Sequence, residues 1–396
     1  MRRRLEFLRA RLASPAGLLL LAASVSGSLA LGMLPTLVQE VPRIGGSFWW
    51  LALVALAAVL VLGYCWSTLY YREGVGLVLY LGRPGQGWDE HRVELMRADA
   101  MDRHARCFTV STGKLLEGQP DPGAADPVAL AYQVIQARLA EEAADRGPVR
   151  SVSLYLTARL HQAYALGRRL KDQRHERLTL MDLSRTPGGG VFPALTLDSR
   201  PAEPPTAERD GPPLARVLDR PLGDPLDIRV FGRATAPDGT PAGEPPARCA
   251  LIVSVAGNPS MVQEALRAAR TGESGDYRFP GGGGPEAHRC AAALVIDTRP
   301  GHLDSRPEVF EAFVQYVAHH WKAWLKQWGE ERRTPVRGLL FTDAPGPVVT
   351  ALGGVLGSGT DFVPHRSAFA PPPRPAGPPA AGPPAGAPGP AATAGG

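Results

Sequence analysis

Two stretches without a charged side chain, one between Arg11 and Glu40 and one between Arg43 and Arg72, constrain this chain more than any other feature. Each is long enough for the roughly 20 apolar residues, at about 1.5 Å rise each, that cross a hydrocarbon core. The expected spans run from about Ala16 to Val38 and from about Ser47 to Tyr70. Phe48, Trp49 and Trp50 open the second span, and Tyr64, Trp66, Tyr70 and Tyr71 close it, as interfacial aromatic belts do. Arg2, Arg3, Arg4, Arg9 and Arg11 precede the first span, while the connecting loop holds only Arg43, offset by Glu40. The positive-inside rule then puts both termini in the cytoplasm. A cleaved signal peptide also has a basic start and an apolar run, but this run is long and a second follows closely. Gly17, Gly27, Gly32, Ser24, Ser26 and Ser28 give the first span a small-residue face suited to self-association.

Breaker residues divide the rest of the 396-residue chain. Residues 201–225, with Pro204-Pro205 and Pro212-Pro213, read as a linker. Residues 370–396 are almost wholly Pro, Ala and Gly, too poor in apolar surface to offset their ordering entropy, and predict a disordered tail. The net charge of +5 is modest and owes much to the N-terminal arginines. With no basic stripe interleaved with aromatics, duplex nucleic acid is not an expected partner. Cys65, Cys107, Cys249 and Cys290 lie far apart, without metal-ligand spacing, and read as reduced bystanders. His319-His320 are adjacent on a helix and point apart, so no metal is expected there.

Two segments of the body read alike. Ser151 to Thr157, then Ala158-Arg159-Leu160, leads into a helix through Ala165-Leu166-Gly167. Arg337 to Asp343, then Ala344-Pro345-Gly346, leads into a helix through Ala351-Leu352-Gly353. Aligning the Ala-Leu-Gly triplets sets Tyr155 on Phe341, Arg159 on Pro345 and Leu170 on Leu356, and predicts that each glycine packs its helix on a sheet. A helix precedes each copy: Pro127 to Ala144, with Ala131, Val134, Ile135 and Leu139 on one face, and Pro307 to Trp328, with Phe310, Phe313, Val317, Trp324 and Trp328. Strands at Cys107 to Ser111 and Ala291 to Asp297 lie upstream. Alternating strands and helices predict parallel sheets covered on both faces. The expected fold class is therefore α/β: two transmembrane helices, then two fused Rossmann-like halves. The domains are 1–72, 73–200, the linker 201–225, 226–369 and the tail 370–396. Val75 to Arg106 reads as a hairpin or a degenerate unit.

Ligands of open parallel sheets bind beyond the carboxyl ends of strands, where helix N-termini present free N–H groups. Three turns qualify: Thr157-Ala158-Arg159, the turn Ala256-Gly257-Asn258-Pro259-Ser260 after a strand Ala250 to Val255, and Thr342-Asp343-Ala344. Each can cradle a phosphate, and each can equally be an ordinary capped turn. Asp182, Asp297 and Asp343 follow predicted strands. Walker A, nucleophile-elbow and His-Glu-x-x-His patterns are missing, and no catalytic set emerges.

The segments Val152 to Gly167, Leu178 to Asp182, Phe192 to Leu195 and Gly338 to Pro347 resemble the SAVED domain, a fusion of two CARF-like halves that senses cyclic oligonucleotides in bacterial CBASS anti-phage signalling. The resemblance covers roughly residues 75–366 and implies a receptor, not an enzyme. It implies no cofactor beyond an activating cyclic di- or trinucleotide made by a partner nucleotidyltransferase. Ligand-driven homo-oligomerisation would then concentrate the spans and disrupt the lipid of the bacterial inner membrane. Carried over by position, the ligand-binding residues are Thr157, Ala158, Arg159, Ser254, Gly257, Asn258, Thr342 and Asp343, with Arg159 as the principal phosphate contact. The alternatives are a membrane-anchored enzyme such as a ring nuclease, using Lys171 or Asp343, and a membrane scaffold that docks through its Pro-rich tail.

Overall fold

A computed structural model describes residues 24, 27–28, 53–54, 56–64, 74–81, 87–104, 106–116, 126–146, 151–171, 178–184, 189–197, 214–215, 217–218, 226–231, 248–255, 258–273, 275–281, 283–298, 303–333 and 335–366. The first sheet grows from β1 (Val75–Tyr80), whose six residues are all buried, as a central strand covered on both faces must be. Helix α1 (Gly87–Arg103) returns the chain to β2 (Arg106–Ser111), parallel to β1. The short α2 (Thr112–Leu116) and the long α3 (Pro127–Arg146) lead to β3 (Val152–Thr157), which pairs parallel with the other edge of β1. Helix α4 (Leu160–Leu170) then leads to β4 (Leu178–Leu183) and β5 (Val191–Leu197).

The second sheet repeats this plan. After β6 (Asp227–Val230) come β7 (Arg248–Ser254), α5 (Pro259–Thr271), the short α6 (Pro285–His288) and β8 (Ala292–Asp297). Helix α7 (Pro307–Arg332), β9 (Arg337–Thr342), α8 (Gly346–Leu356) and β10 (Thr360–Phe362) complete it. The orders are β2-β1-β3-β4-β5 and β10-β9-β7-β8-β6. Matching β1 with β7, β2 with β8, β3 with β9 and β4 with β10 gives one four-stranded parallel unit twice.

Each sheet adds one antiparallel edge strand to its parallel unit, β5 beside β4 and β6 beside β8. For β5 the reason is the connection 184–190, much shorter than the dozen or so residues a parallel crossover takes. The region 75–106 is a regular strand–helix–strand crossover rather than a hairpin or a degenerate unit.

Helices α4 and α8 meet between the sheets, and this contact corrects the role expected of their glycines. A Cβ on Gly167 would lie 1.8 Å from the Thr350 carbonyl oxygen, and one on Gly353 would lie 2.2 Å from that of Tyr164. The glycines therefore pack helix on helix across the two halves, not helix on sheet. The Tyr164 hydroxyl donates to the Thr360 carbonyl at 2.9 Å, and the Thr196 N–H of β5 donates to Glu311 of α7 at 3.2 Å. One apolar core consequently runs through both sheets, from Leu77 and Leu154 to Leu251, Leu294 and Leu340, with Phe313 and Trp321 of α7 inside it. Helices α1 and α5 cover the outer faces, where Met96 joins Tyr155, and Met261 and Ala265 join Ile252 and Phe341.

The expectation of two membrane-spanning helices is corrected, and with it the two-pass inner-membrane location. Among the described residues no helix is long and apolar enough to cross a membrane. Most of 16–38 and 47–70 lies outside the described residues. The tail 370–396 and Cys65 also lie outside the described residues. Of the expected linker, Leu214, Val217 and Leu218 are buried, and Leu218 bridges to Thr298, so this part is built into the core. Cys249 and Cys290 are buried, and burial pushes the Cys290 thiol up.

Candidate functional site

In the second sheet the chain leaves β7 towards β8 and leaves β9 towards β10, on opposite sides of the β7–β9 pair. Their carboxyl ends therefore form a topological switch point, where diverging loops leave a crevice. The turn after β3 of the first half reaches the same crevice, because α4 and α8 cross so closely. The result is a cavity of about 450 Å³, within the usual range for small-molecule sites. Ala158, Arg159, Leu160 and His161 line it from the first half, and Asn258, Met261, Glu264, Tyr277, Thr342, Asp343, Phe362, Pro364 and His365 from the second.

Local chemistry fixes the turns. Arg159 is the N-cap of α4 in extended geometry, and its backbone N–H donates to the Gln162 side chain at 3.1 Å. Pro345, the residue aligned with Arg159, is the N-cap of α8, so the repeat holds at this position in backbone but not in charge. Asn258 caps α5, accepting from the Ser260 N–H at 3.2 Å. The Thr342 hydroxyl accepts from the Ala344 N–H at 3.0 Å. Asp343 ties the switch point together: its Oδ1 accepts from the Val255 N–H at 2.6 Å, while its buried Oδ2 has no hydrogen-bond partner among the described residues.

The walls differ in charge. Arg159 and His161 belong to the first half, Glu264 and Asp343 to the second. Burial, and then the guanidinium groups of Arg159 and Arg278, hold the His161 imidazole down to about 4, so it is neutral at pH 7. Burial, followed by the carboxylates of Glu264, Asp343 and Asp276, pushes the Tyr277 phenol up. His365 stands edge-on to Tyr277, with ring centroids 5.2 Å apart, and its Nε2 lies 3.9 Å from Glu264. An arginine, a neutral imidazole, two carboxylates and two aromatic rings can together hold a ligand that is anionic at one end and donor-bearing and flat at the other.

Ala158, Arg159, Asn258, Thr342 and Asp343, expected from the sequence, all line the cavity. Thr157 and Ser254 are buried and do not: the Thr157 hydroxyl turns towards Met96 Sδ at 3.7 Å. Gly257 lies outside the described residues. Lys171 sits just beyond the far end of α4, roughly 16 Å of helix rise from the cavity. Asp182 is paired with Arg92, and Asp297 is exposed at the end of β8. His161, Glu264, Tyr277, Phe362 and His365 also line the cavity and are not among the residues expected from the sequence. Glu264 lies one helical turn beyond Ser260, a spacing visible in the sequence, whereas Tyr277 and His365 belong to loops that meet only in three dimensions, as an antiparallel bridge. Among the described residues no group of acidic, His and Cys side chains forms a metal site.

No family model and no curated protein matches the chain. Among solved structures it is similar to the Acinetobacter baumannii Cap4 SAVED/CARF-domain containing receptor with the cyclic trinucleotide 3'3'3'-cAAA, at 11% identity and a TM-score of 0.36. The same receptor with 2'3'3'-cAAA gives 11% and 0.37. Each comparison covers 79% of this chain and 55% of that one, so the matched region is about half of the receptor's length. A likeness of this grade is one of outline, and the site stands on its own geometry.

Proposed function

We propose that the two-sheet body is a receptor for a cyclic oligonucleotide, bound where the halves meet. One observation carries this reading: the turns after β3 and β9, equivalent in the repeat, converge with the β7 turn on a single cavity. Arg159 at the N-terminus of α4 grips a phosphate, since a guanidinium offers two parallel donors and the helix end favours negative charge. Tyr277 and Phe362 supply aromatic surface for a base. The sequence resemblance to the SAVED domain names the ligand class, and with it a source in a partner nucleotidyltransferase and a response by self-association.

Calorimetric titration of the full chain with a panel of cyclic di- and trinucleotides tests this. A sub-micromolar member, recovered intact after incubation, is the expected result. Failure of every member to bind folded protein would overturn the reading. Conversion of the ligand to linear product would favour the enzyme alternative, with Asp343 the residue to replace first.

A further inference from the structure

The four sheet edges are protected unequally. On β5, Pro193 removes one donor and Glu311 of α7 accepts the Thr196 N–H. On β2, Arg106 is charged and Arg138 of α3 lies over Phe108, 5.7 Å from the ring centroid. Strand β10 is only three residues long, and Asp361 within it pairs with Arg168. Strand β6 is also short and carries two charges, but Asp227 and Arg229 neutralise each other, and among the described residues no helix side chain is bonded to it. It pairs on one side with β8, and Ile228 and Val230 are 39% and 64% exposed. Exposed β-branched residues on an outermost strand form a template for another strand.

The charges on β6 indicate which strand. Asp227 and Arg229 flank Ile228 and are paired to each other at 2.7 Å. An antiparallel copy of β6 centred on Ile228 sets Asp227 opposite Arg229 of the second copy, and Arg229 opposite its Asp227. Moving the centre by one residue sets Arg229 against Arg229, or Asp227 against Asp227. Opposite charges directly across a ladder stabilise it and like charges destabilise it, so the pattern selects one register. That register is self-complementary, as a two-fold contact requires.

We propose that β6 pairs antiparallel with β6 of a second copy of this chain, centred on Ile228, joining two five-stranded sheets into one. The contact is independent of the cavity and of any ligand. Sedimentation velocity of the full chain at micromolar concentration, without ligand, tests it. Wild-type protein sediments as a dimer. Asp227→Arg and Arg229→Asp each place like charges opposite one another and weaken self-association at least tenfold, with unchanged circular dichroism. Mixing the two variants restores opposite charges across the contact and restores a dimer. A monomeric wild type, variants that dimerise as well as wild type, or a mixture that stays monomeric would each overturn the proposal.

Discussion

At the scale of single residues, the cavity is a balance between burial and charge. His161 illustrates it, because burial and two guanidinium groups lower its proton affinity in the folded state only. The unfolded chain, with the ordinary value of 6.5, takes up the proton first, so stability is lost as pH falls from 6.5 towards about 4. His161→Gln removes that contribution and should flatten this part of the curve, measured by urea denaturation at a series of pH values. An unchanged slope would assign the pH dependence to other groups. The Thr157-Ala158-Arg159 turn was legible as a small-residue turn after an apolar strand, while the weight placed on Arg159 came from the resemblance to the SAVED domain. Tyr277 was not, because it lies outside regular strands and reaches the site only through its bridge to His365.

At the scale of elements, the α4–α8 crossing joins the halves. A glycine-to-alanine change inside an exposed helix usually stabilises it, by up to about 1 kcal/mol. Gly353→Ala should do the opposite, since its Cβ would lie 2.2 Å from the backbone oxygen of Tyr164, and overpacking of this kind costs about 1–3 kcal/mol. Gly354→Ala is the control, because its Cβ would sit 3.5 Å from the Gly167 oxygen, an ordinary contact. Thermal denaturation of both variants checks the contrast; equal behaviour would mean that the crossing can relax. The Ala-Leu-Gly repeat identified these helices from sequence, because one periodic apolar face and one small residue recur together. What each glycine packs against was not legible, since a helix with buried faces on both sides carries no mark distinguishing a sheet from another helix.

At the scale of the whole molecule, duplication accounts for the site's position. Two parallel units packed through equivalent helices bring equivalent turns together, and the exchange of Arg159 for Pro345 makes the pair unequal. The strand–helix alternation was legible at β3, β8 and β9, short apolar runs beside helical periodicity, but not at β1, which reads from sequence as part of a hairpin or a degenerate unit. The antiparallel edges were not, because β5 and β6 lie beside stretches in which breakers dominate and periodicity is short. The affinity of Arg159→Ala for whichever cyclic oligonucleotide binds wild-type protein tests the central claim most directly. The account predicts at least a tenfold loss, about 1.4 kcal/mol, with folding intact; an unchanged affinity would place the ligand elsewhere and contradict it.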